Sequence, residues 1–173
     1  MIPSYLLDSR EEMIELYLGP MYAGKTSTLL QMYRERPGDI LDYHEKESGI
    51  GTLFNHDGQN ARCIRLSRLS HYTGTASRIY INEAQFFPDL LDFVRKNEHL
   101  NLYLFGLDGD FQRNPMGQIL QVIPLCDSIV KLRGTCSRCQ NPSLFSKRIT
   151  TDTQQFLLDE TAYTPLCRSC YLT

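Results

Sequence analysis

Apolar and polar positions alternate from Met13 to Leu18, with Ile14, Leu16 and Leu18 on one side, as in a strand with one buried face. Beyond a glycine-containing loop the period changes. Leu29, Met32 and Tyr33 recur at i, i+3 and i+4, which predicts a helix stopped by Pro37-Gly38. Further strands are expected at Asp39–Tyr43, Arg62–Leu66, Arg78–Ile81, Asn101–Phe105 and Ile129–Leu132. The run at Asn101–Phe105 is nearly all apolar, the pattern of a strand covered on both faces. Between the last three strands lie two helical patterns. The first has Pro88 near its start, Asp89 in its first turn, Leu90, Phe93 and Val94 as its apolar face, and Arg95 and Lys96 in its last turn. The second, short, carries Ile119, Val122 and Ile123 before Pro124. Residues Glu45 to Asn60, rich in Gly, Asn, Asp and Lys, read as a flexible surface loop.

Strands alternating with helices over residues 13–133 predict an α/β fold, a parallel sheet flanked by helices on both faces. Ligands of such sheets bind beyond the carboxyl ends of the strands. Three loops leave strands at that edge, 19–26, 82–87 and 106–113, and their convergence there predicts a site.

With 173 residues the chain is long enough for one self-sufficient core and a small appendage. Its net charge of −2 offers no general basic field for a nucleic acid. No apolar run approaches the roughly 18 residues of a membrane span, so no membrane partner is expected. Residues 1–12 carry Asp8, Arg10, Glu11 and Glu12 and no apolar stretch, which reads as a polar arm and not a secretory signal. The six cysteines are then read as thiols in a reducing, cytoplasmic setting.

The loop Gly19-Pro20-Met21-Tyr22-Ala23-Gly24-Lys25-Thr26 fits G-x-x-x-x-G-K-S/T, whose backbone N–H groups cradle phosphates while its Lys reaches the terminal ones. The competing reading is a chance match in an ordinary strand–helix turn. The flanking strand and helix favour phosphate binding, because they put Thr26 in the first helical turn, where orphan N–H groups and the macrodipole attract an anion. His56 beside Asp57 in a polar loop is read as a solvated turn.

Beyond residue 133 the character changes. Two C-x-x-C knuckles, Cys136/Cys139 and Cys167/Cys170, supply four thiolates for a tetrahedral structural Zn2+, with an interval longer than the roughly 15 to 20 residues usual, so something is looped out between them. A redox pair or buried free thiols are the alternatives, although a single knuckle would serve a redox role. A zinc ribbon contacting nucleic acid through Arg133, Arg138, Lys147, Arg148 and Arg168 is a further one, opposed by Asp152, Asp159 and Glu160 in the same segment. Cys63 and Cys126 lie among apolar residues and are read as inert.

Together the phosphate loop, Glu83-Ala84-Gln85-Phe86-Phe87-Pro88-Asp89, Leu107-Asp108-Gly109, Phe111-Gln112-Arg113, Val130-Lys131-Leu132, Ser146-Lys147-Arg148 and the ordered knuckles resemble the type II thymidine kinase family, the zinc-containing cellular and viral kind. The resemblance spans roughly residues 13–171. It implies a P-loop NTPase-like domain over residues 13–133 and a zinc-binding subdomain over 134–173 that carries a lasso loop. It further implies phosphorylation of the 5′-hydroxyl of thymidine with ATP and Mg2+ in pyrimidine salvage, by a homo-oligomer, a tetramer in this family. Gly19 to Thr26 would hold the ATP phosphates, with Thr26 and Asn82 at Mg2+, and Glu83 would be the catalytic base. Met21, Gln85, Phe86, Leu107, Phe111, Ser146 and Tyr163 would bind the nucleoside, together with lasso residues Gln154, Gln155, Phe156, Leu157 and Leu158. Plain core packing is the alternative for the aromatics and is preferred for Phe87.

The chain also departs from its relatives. Asn82 stands where the family has an acidic residue, which implies a raised Mg2+ requirement. Leu158-Asp159 replaces a lasso Gly-Gly pair, and His44-Glu45-Lys46-Glu47-Ser48 lacks the family's Asp and Arg, with Lys46 or Glu47 as stand-ins. Such departures leave room for a catalytically weakened nucleotide-binding relative with a binding or regulatory role.

Overall fold

A computed structural model describes residues 12–173. The arm expected at residues 1–12 lies, but for Glu12, outside the described residues. Seven strands form the main sheet: β1 (Met13–Leu18), β2 (Asp39–Tyr43), β3 (Gly49–Phe54), β4 (Asn60–Leu66), β5 (Arg78–Asn82), β6 (Asn101–Gly106) and β7 (Ser128–Lys131). Their spatial order is β3-β4-β2-β5-β6-β1-β7, and every pairing is parallel except β3 with β4. Three α-helices are present among the described residues: α1 (Lys25–Glu35), α2 (Leu90–Lys96) and α3 (Arg168–Leu172). None is long and apolar enough to cross a membrane.

The central strands read as continuous apolar runs because each face is covered by a different layer. Ile79, Ile81, Leu102 and Leu104 join Leu90 and Val94 of α2 in one buried cluster. The alternate residues Tyr80, Tyr103 and Phe105 join Leu29 and Leu30 of α1 in the other. Cross-strand neighbours stack within the second layer: Tyr80 on Tyr103 at 4.9 Å and Tyr17 on Phe105 at 4.7 Å between centroids. Such pairs add about 0.5–1.5 kcal/mol beyond their buried area. The Tyr80 hydroxyl, at the bottom of this layer, donates to the Arg36 carbonyl at 2.7 Å and so ties down the end of α1. Phe87 is fully buried in the first layer.

Two expectations are corrected. The segment Glu45–Asn60 is not a loop throughout, because it contains β3, which pairs antiparallel with β4 in the register Thr52↔Arg62. Its turn is built by Asn55, whose side-chain oxygen accepts from the N–H groups of Asp57 and Gln59 at 3.1 and 2.9 Å. The short helix at Ile119 is 3-10 in form and runs through Pro124 to Leu125. A proline needs no N–H there, since the 3-10 ladder is short and irregular.

After β7 the chain leaves the main sheet. Strands β8 (Phe145–Arg148) and β9 (Tyr163–Leu166) form a separate antiparallel pair, followed by α3. Cys136, Leu166 and Cys167 are the buried residues at its heart, with Cys170 and Tyr171 packed beside them.

Candidate active site

The carboxyl ends of β1, β2, β5 and β6 open into one cavity of about 710 Å³, roofed by the lasso segment before β9. Its phosphate-loop wall depends on two glycines. A Cβ on Gly19 would stand 2.6 Å from the Leu132 carbonyl oxygen, too close for any side chain. Gly24, at φ +81, takes the left-handed turn that starts α1. Lys25 is buried, and its Nζ donates to the carbonyls of Pro20 at 2.6 Å and Gly19 at 3.2 Å. Burial lowers its pKa, opposed by the charges of Glu83, Asp108 and Glu160. Thr26 follows in the first turn and lines the cavity.

Glu83 leaves β5 in a left-handed conformation, φ 53 and ψ 43, rare for a residue with a side chain. Backbone placed this way persists only where neighbours hold it. Here Phe86 N–H donates to the Glu83 carbonyl at 3.1 Å, and Ala84 and Phe87 are fully buried. Gln85 aims the carboxylate. Its amide donates to Glu83 Oε2 at 2.7 Å while its oxygen accepts from the Leu107 N–H at 3.1 Å. Burial raises the Glu83 pKa, with Lys25 and the Gln85 hydrogen bond pulling the other way. A carboxylate so balanced can accept a proton.

Of the residues expected to meet a nucleoside, Met21, Phe86, Leu107, Gln155, Phe156, Leu157, Leu158 and Tyr163 line the cavity. Gln85, Phe111, Ser146 and Gln154 are not among the residues that line it. Ser146 Oγ accepts from the Met21 N–H at 2.8 Å, fastening β8 to the phosphate loop. Phe111 lies under the guanidinium of Arg148 at 4.0 Å, and the Gln154 carbonyl accepts from that same guanidinium. Of the stand-ins after β2, Lys46 lines the cavity, whereas Glu47 is bound to His71 and Ser67, which holds its pKa down near 2.

Several residues take roles here that the sequence does not assign them. Arg148 is buried and organises the lasso: it donates to the carbonyls of Asp152 and Gln154 and to the Tyr163 hydroxyl, which in turn donates to the Leu157 carbonyl at 3.1 Å. Gln155 binds Asp110 at 3.0 Å. Tyr22 donates to the Glu160 carbonyl at 2.9 Å and packs against His56, so the lasso also touches the phosphate loop. His56, read as a solvated turn, lines the cavity. Asp42, at the end of β2, accepts from Asn82 Nδ2 at 2.8 Å. Arg148 stands out in the sequence only as one of several basic residues, and nothing in the local sequence marks Asp42.

Two donor sets suit metals. Oxygen groups of Thr26, Asp42, Asn82 and Glu83 line one cavity, and hard oxygen donors suit Mg2+. The sulfurs of Cys136, Cys139, Cys167 and Cys170 all lie within 4.8 Å of one another, with Cys139 and Cys167 at 3.5 Å. Zinc bound to four thiolates at about 2.3 Å places them roughly 3.8 Å apart, so the cluster fits structural zinc. Burial raises the pKa of the two remaining thiols, Cys63 and Cys126, to about 11 each, which keeps them protonated.

A family model described as thymidine kinase matches residues 12–171. The thymidine kinase of Monkeypox virus is 34% identical over 172 residues, covering 92% of this chain and 96% of the viral one. That of Vaccinia virus (strain Western Reserve) is 34% identical over the same length and coverage. A thymidine kinase of Oryza sativa subsp. japonica is 35% identical over 178 residues, covering 92% of this chain and 66% of the plant protein. The match runs from β1 to the second cysteine knuckle and takes in the whole cavity, and the chain therefore belongs to the thymidine kinase family.

Proposed function

We propose that the chain transfers the γ-phosphoryl group of ATP to the 5′-hydroxyl of thymidine in pyrimidine salvage, in the cytoplasm, and that it does so as a homo-oligomer. The observation that carries this is the position of Glu83. It shares one cavity with Lys25 and Thr26 of the phosphate loop and with the aromatic rings of Phe86, Phe156 and Tyr163. A phosphate donor and a flat base could therefore meet across it.

The loop N–H groups from Tyr22 to Lys25 and the Lys25 ammonium hold the β- and γ-phosphates. To do so, Lys25 exchanges the carbonyls of Gly19 and Pro20 for phosphate oxygens. Thr26 and Asn82 would hold Mg2+, which would supply neutralising charge to those phosphates. Glu83 accepts the proton of the 5′-hydroxyl as its oxygen attacks phosphorus; the O–P bond to the nucleoside forms, the bridge to the β-phosphate breaks, and ADP leaves. Positioning and charge stabilisation supply most of the rate in such transfers, so one aimed carboxylate suffices. The base lies between Phe86, Phe156 and Tyr163, with Met21 and Leu107 at its edge and lasso backbone from Gln155 to Leu158 reading its polar groups. Gln85, Ser146, Phe111 and Gln154 act behind this layer through Glu83, Met21 and Arg148. Residues 134–173 form the zinc-held subdomain that positions the lasso.

The test is transfer of ³²P from ATP to a panel of nucleosides, with Mg2+ present. Thymidine should be the favoured acceptor. ATP binding without transfer to any nucleoside would instead make the chain a nucleotide-binding relative that has lost its chemistry.

A further inference from the structure

The neutral residue before Glu83 has a charged neighbour. Asp42 and Asn82 are register partners on adjacent parallel strands, β2 and β5, and both line the cavity. Asn82 Nδ2 donates to Asp42 Oδ1 at 2.8 Å, which leaves the Asn82 oxygen as the free end of its amide. The second oxygen of Asp42 accepts no hydrogen bond among the described residues. Arg65 is its register partner on the other side, in β4, yet makes no ion pair with it there; its guanidinium donates to the Thr52 carbonyl at 3.1 Å. Half-buried Asp42 has one hydrogen-bond donor, Asn82, and is attracted by the nearby Arg65 and His44; it lines the cavity that Thr26 and Glu83 share.

Resting on the kinase reading above, the geometry points to Asp42 as the anion that holds the water shell of the catalytic Mg2+, with Asn82 as its relay. The negative charge sits one strand over and is presented through the same point of the cavity. Asp42 is a positioning residue: it does not meet the transferred phosphoryl group, and it acts by orienting metal-bound water. Asp42→Asn alone removes the charge. The exchange variant, Asp42→Asn with Asn82→Asp, puts it back.

The experiment counts free Mn2+ by electron paramagnetic resonance as it is titrated into each protein with a non-hydrolysable ATP analogue. In parallel, initial rates are followed against free Mg2+, and thymidine affinity is measured by calorimetry. Asp42→Asn should weaken Mn2+ binding about 10- to 100-fold, the usual effect of losing an outer-shell partner. Half-saturation in Mg2+ should shift by the same factor, with thymidine affinity unchanged. The exchange variant should recover most of both losses. Mn2+ binding by Asp42→Asn equal to that of the native protein overturns the proposal, and so does an exchange variant that folds but does not recover. Should Asp42→Asn fail to fold, the exchange variant, which keeps the charge count, decides alone. A native protein that binds Mn2+ and nucleotide yet phosphorylates no nucleoside would refute the kinase reading and leave the metal result standing.

Discussion

Removing zinc should unravel the end of the chain and leave the main sheet standing. Around the four cysteines the buried apolar residues are few: Leu166 is fully buried, and Tyr171 is packed only in part. Burying one Leu contributes about 1.5–3 kcal/mol, and a partly buried Tyr no more. Against this stand the four, four and five ordered residues of β8, β9 and α3, each costing about 1–2 kcal/mol of backbone freedom. A structural zinc supplies about 10–16 kcal/mol, which closes most of that gap. Its loss should travel by identified contacts. The Tyr171 hydroxyl donates to the Phe111 carbonyl at 2.6 Å, Phe111 underlies Arg148, and Ser146 holds the Met21 N–H. The measurement is hydrogen exchange with and without a strong zinc chelator, alongside binding of thymidine and of a fluorescent ATP analogue. Exchange should become fast over residues 134–173 and stay slow in β1, β5 and β6. Thymidine affinity should fall at least about 10-fold and ATP affinity much less. Metal analysis without zinc, or a Cys139→Ser protein with a protected C-terminal segment and native thymidine affinity, would refute the reasoning.

Four further outcomes follow from the site. Glu83→Gln should leave thymidine affinity nearly intact and lower kcat by about 10² or more, the range of a lost general base; a change in affinity with kcat preserved would make Glu83 a substrate-positioning residue. Because burial raises the Glu83 pKa and the base must be ionised, kcat/KM should fall as pH drops through a value above the ordinary carboxylate range. Gln85→Leu removes a donor to the ionised form, worth about 1.5 kcal/mol, so on that falling side the rate should drop about a further 10-fold, with convergence toward the native rate at high pH; parallel profiles would show that the amide does not tune Glu83. Arg148→Lys keeps the charge but loses the planar fork that reaches two lasso carbonyls and Tyr163, so the KM for thymidine should rise about 10-fold or more with the KM for ATP steady; an unchanged thymidine KM would show that the lasso holds its shape without that hub.

What the sequence disclosed was chemistry written in adjacent residues. The phosphate loop, the alternation in β1, the apolar run of β6 and the two cysteine knuckles each declare themselves within a dozen residues or fewer. Strand β3 was hidden because Gly49 and Gly51 dilute its alternation, and its Asn55-His56-Asp57-Gly58 turn was read as part of a loop instead of as the hinge of a hairpin. Gln85 reads along the chain as a nucleoside residue; its bond to Glu83 is local, but its bond to the Leu107 N–H arises only when β5 and β6 lie side by side. The basic residues of the last segment invited a nucleic-acid reading, yet the guanidinium of Arg148 is buried against Phe111 and lasso carbonyls.

The same limit explains why Asn82 looked like a defect. Read along the chain, it is a neutral residue where the family carries an acid. Read across the sheet, it is one half of a pair whose other member, Asp42, lies 40 residues earlier and meets it only through strand register. Parallel pairing sets residues of β2 and β5 level at the carboxyl edge, where every ligand of this fold must approach, so a charge can change strands there while remaining at the same mouth of the cavity. A substitution at that edge therefore has to be judged with its neighbours in the sheet, because a cation bound there would respond to the field at the cavity mouth and not to the strand that supplies it.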